Sequence, residues 1–504
     1  MTAVWVLGDQ LSRERGPLAA DPERVLFVEA SEFAQRRRYH PQKLALVLAA
    51  MRNLADDLRA AGVDVAYERA DSFGDGLDAY FERYPGDELV VQRPATHGAA
   101  DRLQRLVEQR GGSLRVVENE QFLCSPDAFD AWADERDGDA YSHEAFYRWM
   151  RRETGYLMTD GDPEGGAWNY DDQNRETPPD DYESPELPDF EYGEHAPEVR
   201  AWVAAEVDTW GDPAGFDWPV TREHAERALA DFLDHRLADF GPYEDAMLDD
   251  DWHLDHSLLS AALNVGLLDP GAVVDAAIAE YRERDDIPLH SIEGFVRQIV
   301  GWREFVRHVY RREMPALADA NQLDQARELP PLYWDPDATE MACLNAAVGR
   351  VHDRGYTHHI ERLMVLSNFA LLYGASPQAL NEWFYGGFVD AFHWVVTPNV
   401  VGMGSFGTPA FTTKPYAASA NYVDRMSDYC AGCHYDPDST TGADACPLNS
   451  LYWAFLADHE DDLRENHRMG LVYSHLDDKR DAGDLAAIRE RADAVRSLAE
   501  SGEL

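Results

Sequence analysis

The run Val4-Trp5-Val6-Leu7-Gly8-Asp9-Gln10-Leu11 decides the first part of the fold. Four apolar residues of strand length end in a glycine and two polar side chains. The pattern of a short apolar run returns at residues 25–28, 63–67, 88–91 and 114–117. Between these runs lie stretches such as 41–61 and 96–110, with apolar residues at three and four spacing, which is the period of an amphipathic helix. Strand–helix alternation of this kind predicts a parallel sheet covered on both faces, a Rossmann-like α/β domain over residues 1–125. Ligands of such sheets sit at the carboxyl ends of the strands. Here that end reads Gly8-Asp9-Gln10-Leu11, which is not the GxGxxG phosphate loop, so an ordinary dinucleotide site is disfavoured.

Working outward, residues 126–220 read as an acidic connector. Residues 160–198 are rich in Pro, Gly, Asp and Glu and predict an extended surface segment, with Trp168-Asn169-Tyr170 as anchors. From residue 221 the pattern is helical to the end at residue 504, with long amphipathic stretches at 223–240, 271–284, 292–312 and 360–373. No strand–helix alternation returns, and no internal repeat is evident.

Composition bounds the function classes. The hydrophobic fraction of 45% supports a large core. No apolar run approaches the ~18 residues that span a bilayer, so the chain is expected to be soluble, cytoplasmic and without a membrane partner. The net charge is -49, and only Lys43, Lys414 and Lys479 among the 45 basic residues are lysine. An aromatic content of 11% argues against disorder. A carboxylate-coated folded surface suits a salt-rich, halophilic setting, where the Debye length is only ~3 Å at 1 M and self-repulsion is screened. A DNA binder normally shows a basic face. Any DNA contact must therefore use a local arginine patch.

Four of the five cysteines fall into one pattern: Cys343, then Cys430-Ala431-Gly432-Cys433, then Cys446 followed by Pro447. A CxxC pair, a third thiolate downstream and a distant fourth form a cage for a 4Fe-4S cluster or a structural zinc. The odd count and the lack of a signal peptide before Met1 speak against disulfides. Cys124 is expected to be a buried free thiol.

Further motifs, in order, are Met150-Arg151-Arg152, residues 165–170, His256-Ser257-Leu258-Leu259-Ser260, Glu293-Gly294-Phe295-Val296-Arg297-Gln298, Gly301-Trp302-Arg303-Glu304, His358-His359 with Arg362-Leu363-Met364, and Lys414-Pro415-Tyr416. Together with the cysteines they resemble the photolyase–cryptochrome superfamily, and within it the iron–sulfur bacterial and archaeal branch of deoxyribodipyrimidine photolyase-related proteins, which includes prokaryotic (6-4) photolyases. The resemblance implies an antenna-binding α/β domain and an all-α C-terminal domain that holds FAD. It also implies light-driven electron transfer from reduced FAD to cross-linked pyrimidines in UV-damaged DNA. A photoreceptor of the same fold without repair is the first rival. A nucleic-acid-binding module akin to the large subunit of archaeal primase is the second. The protein is expected to act as a monomer.

Roles are assigned by position. For flavin, the stretch His256, Ser257, Leu258, Leu259 and Ser260 offers hydroxyls and backbone N–H groups where a helix is expected to begin, a favourable place for an anion. Glu293, Arg297, Trp302, Asp390 and Asn399 are further flavin candidates, although Glu293 and Arg297, four apart, also read as a simple ion pair. His358 and His359, with Asp245 as partner carboxylate, are the candidate proton donors to the lesion. Trp383, Trp334 and Trp394 are the candidate electron relay. Relatives often carry tyrosine after the relay tryptophan, where this chain has Phe384. They also carry a carboxylate before the Pro-Asn pair, where it has Val395-Val396-Thr397. The four pattern cysteines would hold the cluster. Gly8, Asp9, Gln10, Leu11 and Glu29 would hold the antenna, a 6,7-dimethyl-8-ribityllumazine. Arg151, Arg152, Arg311 and Arg312 are the expected DNA contacts.

Overall fold

In a computed structural model, which describes residues 2–136, 141–179 and 181–504, five strands form one wholly parallel sheet. They are β1 (Thr2–Val6), β2 (Arg24–Ala30), β3 (Asp64–Ala70), β4 (Glu88–Gln92) and β5 (Ser113–Val117), in the order β3-β2-β1-β4-β5. Each expected strand is present to within a few residues. Side chains alternate between two cores, as the period of two requires. Val4, Val6, Val25 and Phe27 face the core shared with helix Pro41–Ala60. Ala3, Trp5, Leu26 and Val28 face the opposite core, with Leu77 and Tyr80 of helix Phe73–Arg83. Both faces are apolar because both are covered. The first core continues without a break into the helical part of the chain.

The segment between the sheet and the helical body is less extended than its composition suggests. Helices Pro126–Asp134, His143–Thr154 and His195–Glu206 interrupt it. Ser125 and Ser142 cap the first two, their hydroxyls accepting from the N–H groups of Ala128 and Ala145. His195–Glu206 packs on Pro41–Ala60. Among the described residues, the stretch between Thr154 and His195 holds only a two-residue hairpin and short 3₁₀ turns. Asp180, inside the stretch expected to be extended, lies outside the described residues.

The helical body departs from the sequence pattern in an informative way. The run expected to be one helix at 292–312 is Leu289–Val296, a π-helical segment Arg297–Arg303, and Glu304–Glu313. The run at 360–373 opens with a second π-helical segment, Glu361–Ser367. A third, Pro398–Gly404, comes directly after helix His393–Thr397. A widened turn re-aims the side chains beyond it and recurs at functional sites. Two of these segments carry candidate flavin residues: Arg297 and Trp302 on the first, Asn399 on the third. Among the described residues no helix is long and apolar enough to cross a membrane.

Candidate functional site

The backbone entering helix Ser260–Val265 is contorted. Leu254 and Leu258 adopt left-handed conformations, φ 43° and 57°, which leucine seldom takes. The short helix has no side-chain cap; the Ser260 hydroxyl instead donates to the Asp390 carboxylate at 2.7 Å. Arg362 donates to both oxygens of the same carboxylate at 3.0 Å. Burial pushes the Asp390 carboxyl up, but Arg362 and Ser260 outweigh it and hold it below its ordinary range, so it is ionised. Lys43 reaches in from the first long helix and donates to the carbonyls of Tyr385 and Ala391. Burial pulls its ammonium down to about 7. Ser260 and Asp390, far apart in sequence, are thus brought together, and Arg362 joins them. Asn399 donates to its neighbour's carbonyl, that of Val395, at 2.8 Å.

Close by, three imidazoles converge. His256 and His358 stack with centroids 4.6 Å apart, and His359 meets His256 edge-on at 5.4 Å. Nε2 of His256 and both ring nitrogens of His358 are buried without a hydrogen-bond partner. Glu361 approaches His358 to 3.4 Å but is itself held by Arg350, Tyr429 and Thr357. Burial, reinforced by the neighbouring imidazoles, drives His256 and His358 far below the ordinary histidine range, so both are neutral. His359 differs: its side chain is 47% exposed and stands 3.5 Å from Asp245. Burial pulls it down, yet Asp245 and Glu244 outweigh that and raise it.

Glu293 and Arg297 are not a surface pair. Glu293 is fully buried, and Arg297 reaches Asp171 at 2.8 Å and Glu244 and Glu293 at 3.7 Å. Glu293 accepts from the Tyr170 N–H, and Trp302 stacks on His143 at 3.7 Å. Gly301 is required at that crossing, since a Cβ there would come within 2.8 Å of the His143 ring. These residues therefore fasten the connector to the helical body.

Trp383 is buried and Trp334 is 40% exposed; among the described residues, Trp210 is the ring in contact with both. Trp210 is absent from the candidates read in sequence because nothing in the spacing of the connector marks it. Trp394 lies elsewhere, against Phe122 and the Arg303 guanidinium.

Cys343, Cys430, Cys433 and Cys446 line a single small pocket whose other walls, such as Met341 and Leu448, are apolar. Cys343 rides on helix Ala342–Arg354, Cys430 on the turn Tyr429–Gly432, and Cys446 precedes helix Pro447–Asp458. Burial and mutual repulsion push the Cys430 and Cys446 thiols up to about 12 and raise Cys343 well above the ordinary thiol range. Thiols so placed ionise together only around a cation, so the donor set fits a metal centre. Cys124 is buried, separate and unpaired in any disulfide.

Gly8 to Leu11 sit at the carboxyl end of β1, where the strand order reverses between β1 and β4. Gln10 donates to the Gln92 carbonyl and Leu11 to that of Val265, so the loop spans sheet and helical body. Burial raises the Asp9 carboxyl to about 6 against the pull of its own backbone hydrogen bond and Arg307. Glu29 is committed elsewhere: Arg52 donates to both its oxygens and Tyr67 to one.

The expected arginine contacts need correction. Arg151 is wholly enclosed and donates to the carbonyls of Tyr156, Leu157 and Trp168, so no phosphate reaches it. Arg311 and Arg312 are tied to Asp130 and Asp134. Arg152 is exposed, over the Trp168 ring. Two exposed arginines that the sequence pattern does not single out stand around Tyr422 with Asp245: Arg175, 3.9 Å from Asp245, and Arg425, over the Tyr422 ring. Arg175 is the lone Lys or Arg between Asp160 and Glu198, a signal that could have found it.

Comparison with known proteins completes the picture. The family model of deoxyribodipyrimidine photo-lyase-related proteins matches residues 4–218. Over 482 residues, covering 94% of each chain, the sequence is 39% identical to a (6-4) photolyase of Agrobacterium fabrum. Two solved structures share the fold. A bacterial class III photolyase from Agrobacterium tumefaciens superposes with TM-score 0.58 at 20% identity, over 84% of this chain and 86% of that one. A cryptochrome of Synechocystis sp. PCC6803 does so with TM-score 0.58 at 16% identity, over the same shares. With a relative this similar along nearly its whole length, the chain belongs to the photolyase-related family, in the photolyase–cryptochrome fold.

Proposed function

We propose that this protein is a light-driven, FAD-dependent repair enzyme for (6-4) pyrimidine photoproducts in DNA. The observation that carries the reading is the imidazole group: two buried neutral rings with unpartnered nitrogens beside a half-exposed His359 whose affinity for a proton Asp245 raises. A flipped lesion reaching the exposed side of His359 would meet the proposed proton donor, its Nε2 turned to Asp245. Ser260, Arg362, Asp390 and Asn399, with the orphaned nitrogen of His256, would hold the flavin. Bound and reduced, FAD supplies a photoexcitable one-electron donor. The protein's part is to bind it, orient the lesion and set Asp245 beside His359, which favours the protonated ring.

The four cysteines would hold a 4Fe-4S cluster. The support is that all four sulfurs converge on one small pocket with largely apolar walls, together with the resemblance of their spacing to the iron–sulfur branch. A ribityllumazine antenna is assigned to Gly8, Asp9, Gln10 and Leu11, with Glu29 buttressing the sheet through Arg52 rather than touching it.

The test uses the full-length protein from a host supplying iron and riboflavin derivatives. Its absorption spectrum is expected to combine flavin, lumazine and iron–sulfur bands. Blue light is expected to restore an oligonucleotide carrying a defined (6-4) lesion. Flavin-loaded protein that leaves the lesion intact under light would overturn repair in favour of photoreception.

A further inference from the structure

The buried guanidinium of Arg350 joins three segments that meet around the imidazole group. It projects from helix Ala342–Arg354 and is 8% exposed. One of its terminal nitrogens donates to the Glu361 carboxylate and to the Tyr429 hydroxyl, the latter at 2.7 Å. The other donates to the carbonyls of Leu248 and Asp249, the latter at 2.9 Å. Glu361, fully buried, opens a π-helical segment and also accepts from Tyr429 and Thr357. The oxygen that Thr357 serves stands 3.4 Å from Nε2 of His358. Leu248 and Asp249 follow Asp245 closely in the chain, and Asp245 stands 3.5 Å from Nε2 of His359. Their stretch is fastened at two further points: the Met247 N–H donates to the Met426 carbonyl at 2.9 Å, and the Asp249 N–H to the Asp428 carboxylate at 2.8 Å.

We infer that Arg350 is the positioning residue of the imidazole group: one buried cation fixes both carboxylates that face it, Glu361 toward His358 and Asp245 toward His359. The inference deepens the reading above, in which His359 is the acid. An arginine suits the place because its planar fork serves four acceptors in fixed directions, whereas an ammonium is a compact charge with three donors. Its charge matters as well. Burial raises the Glu361 carboxyl, and Arg350 is the leading influence against that. Without the guanidinium, two buried carbonyls and a buried carboxylate would each lose a donor, and an acceptor left short in the interior is costly.

The effect on His359 passes through the backbone. The groups that face its ring are Asp245 and Glu244, which raise its affinity for a proton, Arg362, which lowers it, and the imidazoles of His256 and His358. Arg175 stands 3.9 Å from Asp245. Arg350 holds the carbonyls three and four positions beyond Asp245, so its loss frees Asp245 to drift from the ring. His359 then falls back toward the ordinary histidine value.

The experiment compares the full-length parent with Arg350→Lys and Arg350→Gln. Diethyl pyrocarbonate attacks the neutral imidazole and not the charged one. Its rate at His359, read by peptide mass spectrometry across pH, therefore reports the proton affinity of that ring without flavin or light. The midpoint is expected to move toward acid by about half a unit in Arg350→Lys and by about one unit in Arg350→Gln. Light-driven repair is expected to fall about tenfold with damaged-duplex affinity within about twofold of the parent, the split that follows when orientation rather than binding is lost. A packing role alone would lower stability and leave the midpoint in place. Midpoints within about 0.2 unit of the parent in both variants overturn the inference. Should Arg350→Gln fail to fold, Arg350→Lys decides by the same criterion. A midpoint that shifts in the variants of a parent that repairs no lesion would uphold the positioning and sink the functional reading instead.

Discussion

The imidazoles of His256 and His358 lie nearly parallel, 16° apart in plane with centroids 4.6 Å apart, and both are buried. Two charges at that separation in a low-dielectric interior repel strongly, so neither ring is the acid of the site. His359, half-exposed and with its affinity for a proton raised by Asp245, is the proposed acid. His359→Gln is expected to lower light-driven repair by about 100-fold or more, the usual worth of a positioned general acid. Flavin content and far-ultraviolet circular dichroism serve as the fold control. Repair within a few-fold of the parent would move the acid elsewhere.

The pH dependence has two signs. The folded pKa of His359 is raised, so its proton is present below its ordinary value of 6.5 and lost as pH climbs through the raised one. Repair is therefore expected to fall on the alkaline side, and Asp245→Asn, which removes the leading upward influence, should shift that limb toward acid. His256 and His358 are depressed from 6.5, so below about that pH the unfolded chain binds protons the folded one cannot. Stability should drop as pH falls from about 7.5 to about 5.5, a window spanning the ordinary histidine value, read by thermal melting at constant ionic strength. A flat melting profile over that window would contradict the neutral pair.

Asp390 is the hub of the proposed flavin contacts. Asp390→Asn leaves the Arg362 guanidinium with half its partner, and removing one side of a buried pair costs about 3 kcal/mol or more. The expected outcome is reduced FAD content on purification and flavin release at a lower temperature. Normal loading and release would show that the Ser260–Asp390–Arg362 node is structural only.

The proposed metal centre yields a compositional prediction. Cys430→Ser is expected to give insoluble or flavin-free protein, because the proposed cage would tie Cys343 to a segment 87 positions downstream. Iron and zinc analysis of the parent, with absorbance near 400 nm, distinguishes a cluster from colourless zinc. A soluble, flavin-loaded Cys430→Ser variant would refute a bracing role.

How much of the molecule is legible in sequence depends on the range of the interaction. The sheet can be read because strand alternation and helix period are local, and Val4, Val25 and Val90 declare themselves without knowledge of one another. The cysteines can be read because thiolates are rare and their spacing is constrained. The Ser260–Asp390 pairing spans 130 positions and leaves no periodic trace. The π-helical segments are invisible for a related reason: one widened turn hardly alters an apolar pattern, yet it redirects every side chain beyond it. Arg151 misleads because an arginine pair on a helix reads as exposed charge. Only the return of the chain at Trp168 reveals that carbonyls enclose it.

DNA contact, in a chain of charge -49, is the sharpest electrostatic problem. Phosphate binding weakens as salt rises, while a carboxylate shell of this density needs salt to suppress its own repulsion, the Debye length being ~30 Å at 0.01 M and ~3 Å at 1 M. The protein is expected to lose helical circular dichroism on desalting and to recover it when salt returns; full retention in dilute buffer would count against a halophilic setting. Within the working range of salt, affinity must come from the few basic residues beside the opening. Arg175→Glu and Arg425→Glu are each expected to weaken damaged-duplex binding irrespective of sequence and to reduce the salt slope by about one. Arg311 and Arg312, already paired with Asp130 and Asp134, should contribute little, so charge reversal there should leave affinity nearly unchanged. The opposite ranking would relocate the DNA path from the Asp245 rim to the face formed by helices Pro126–Asp134 and Glu304–Glu313.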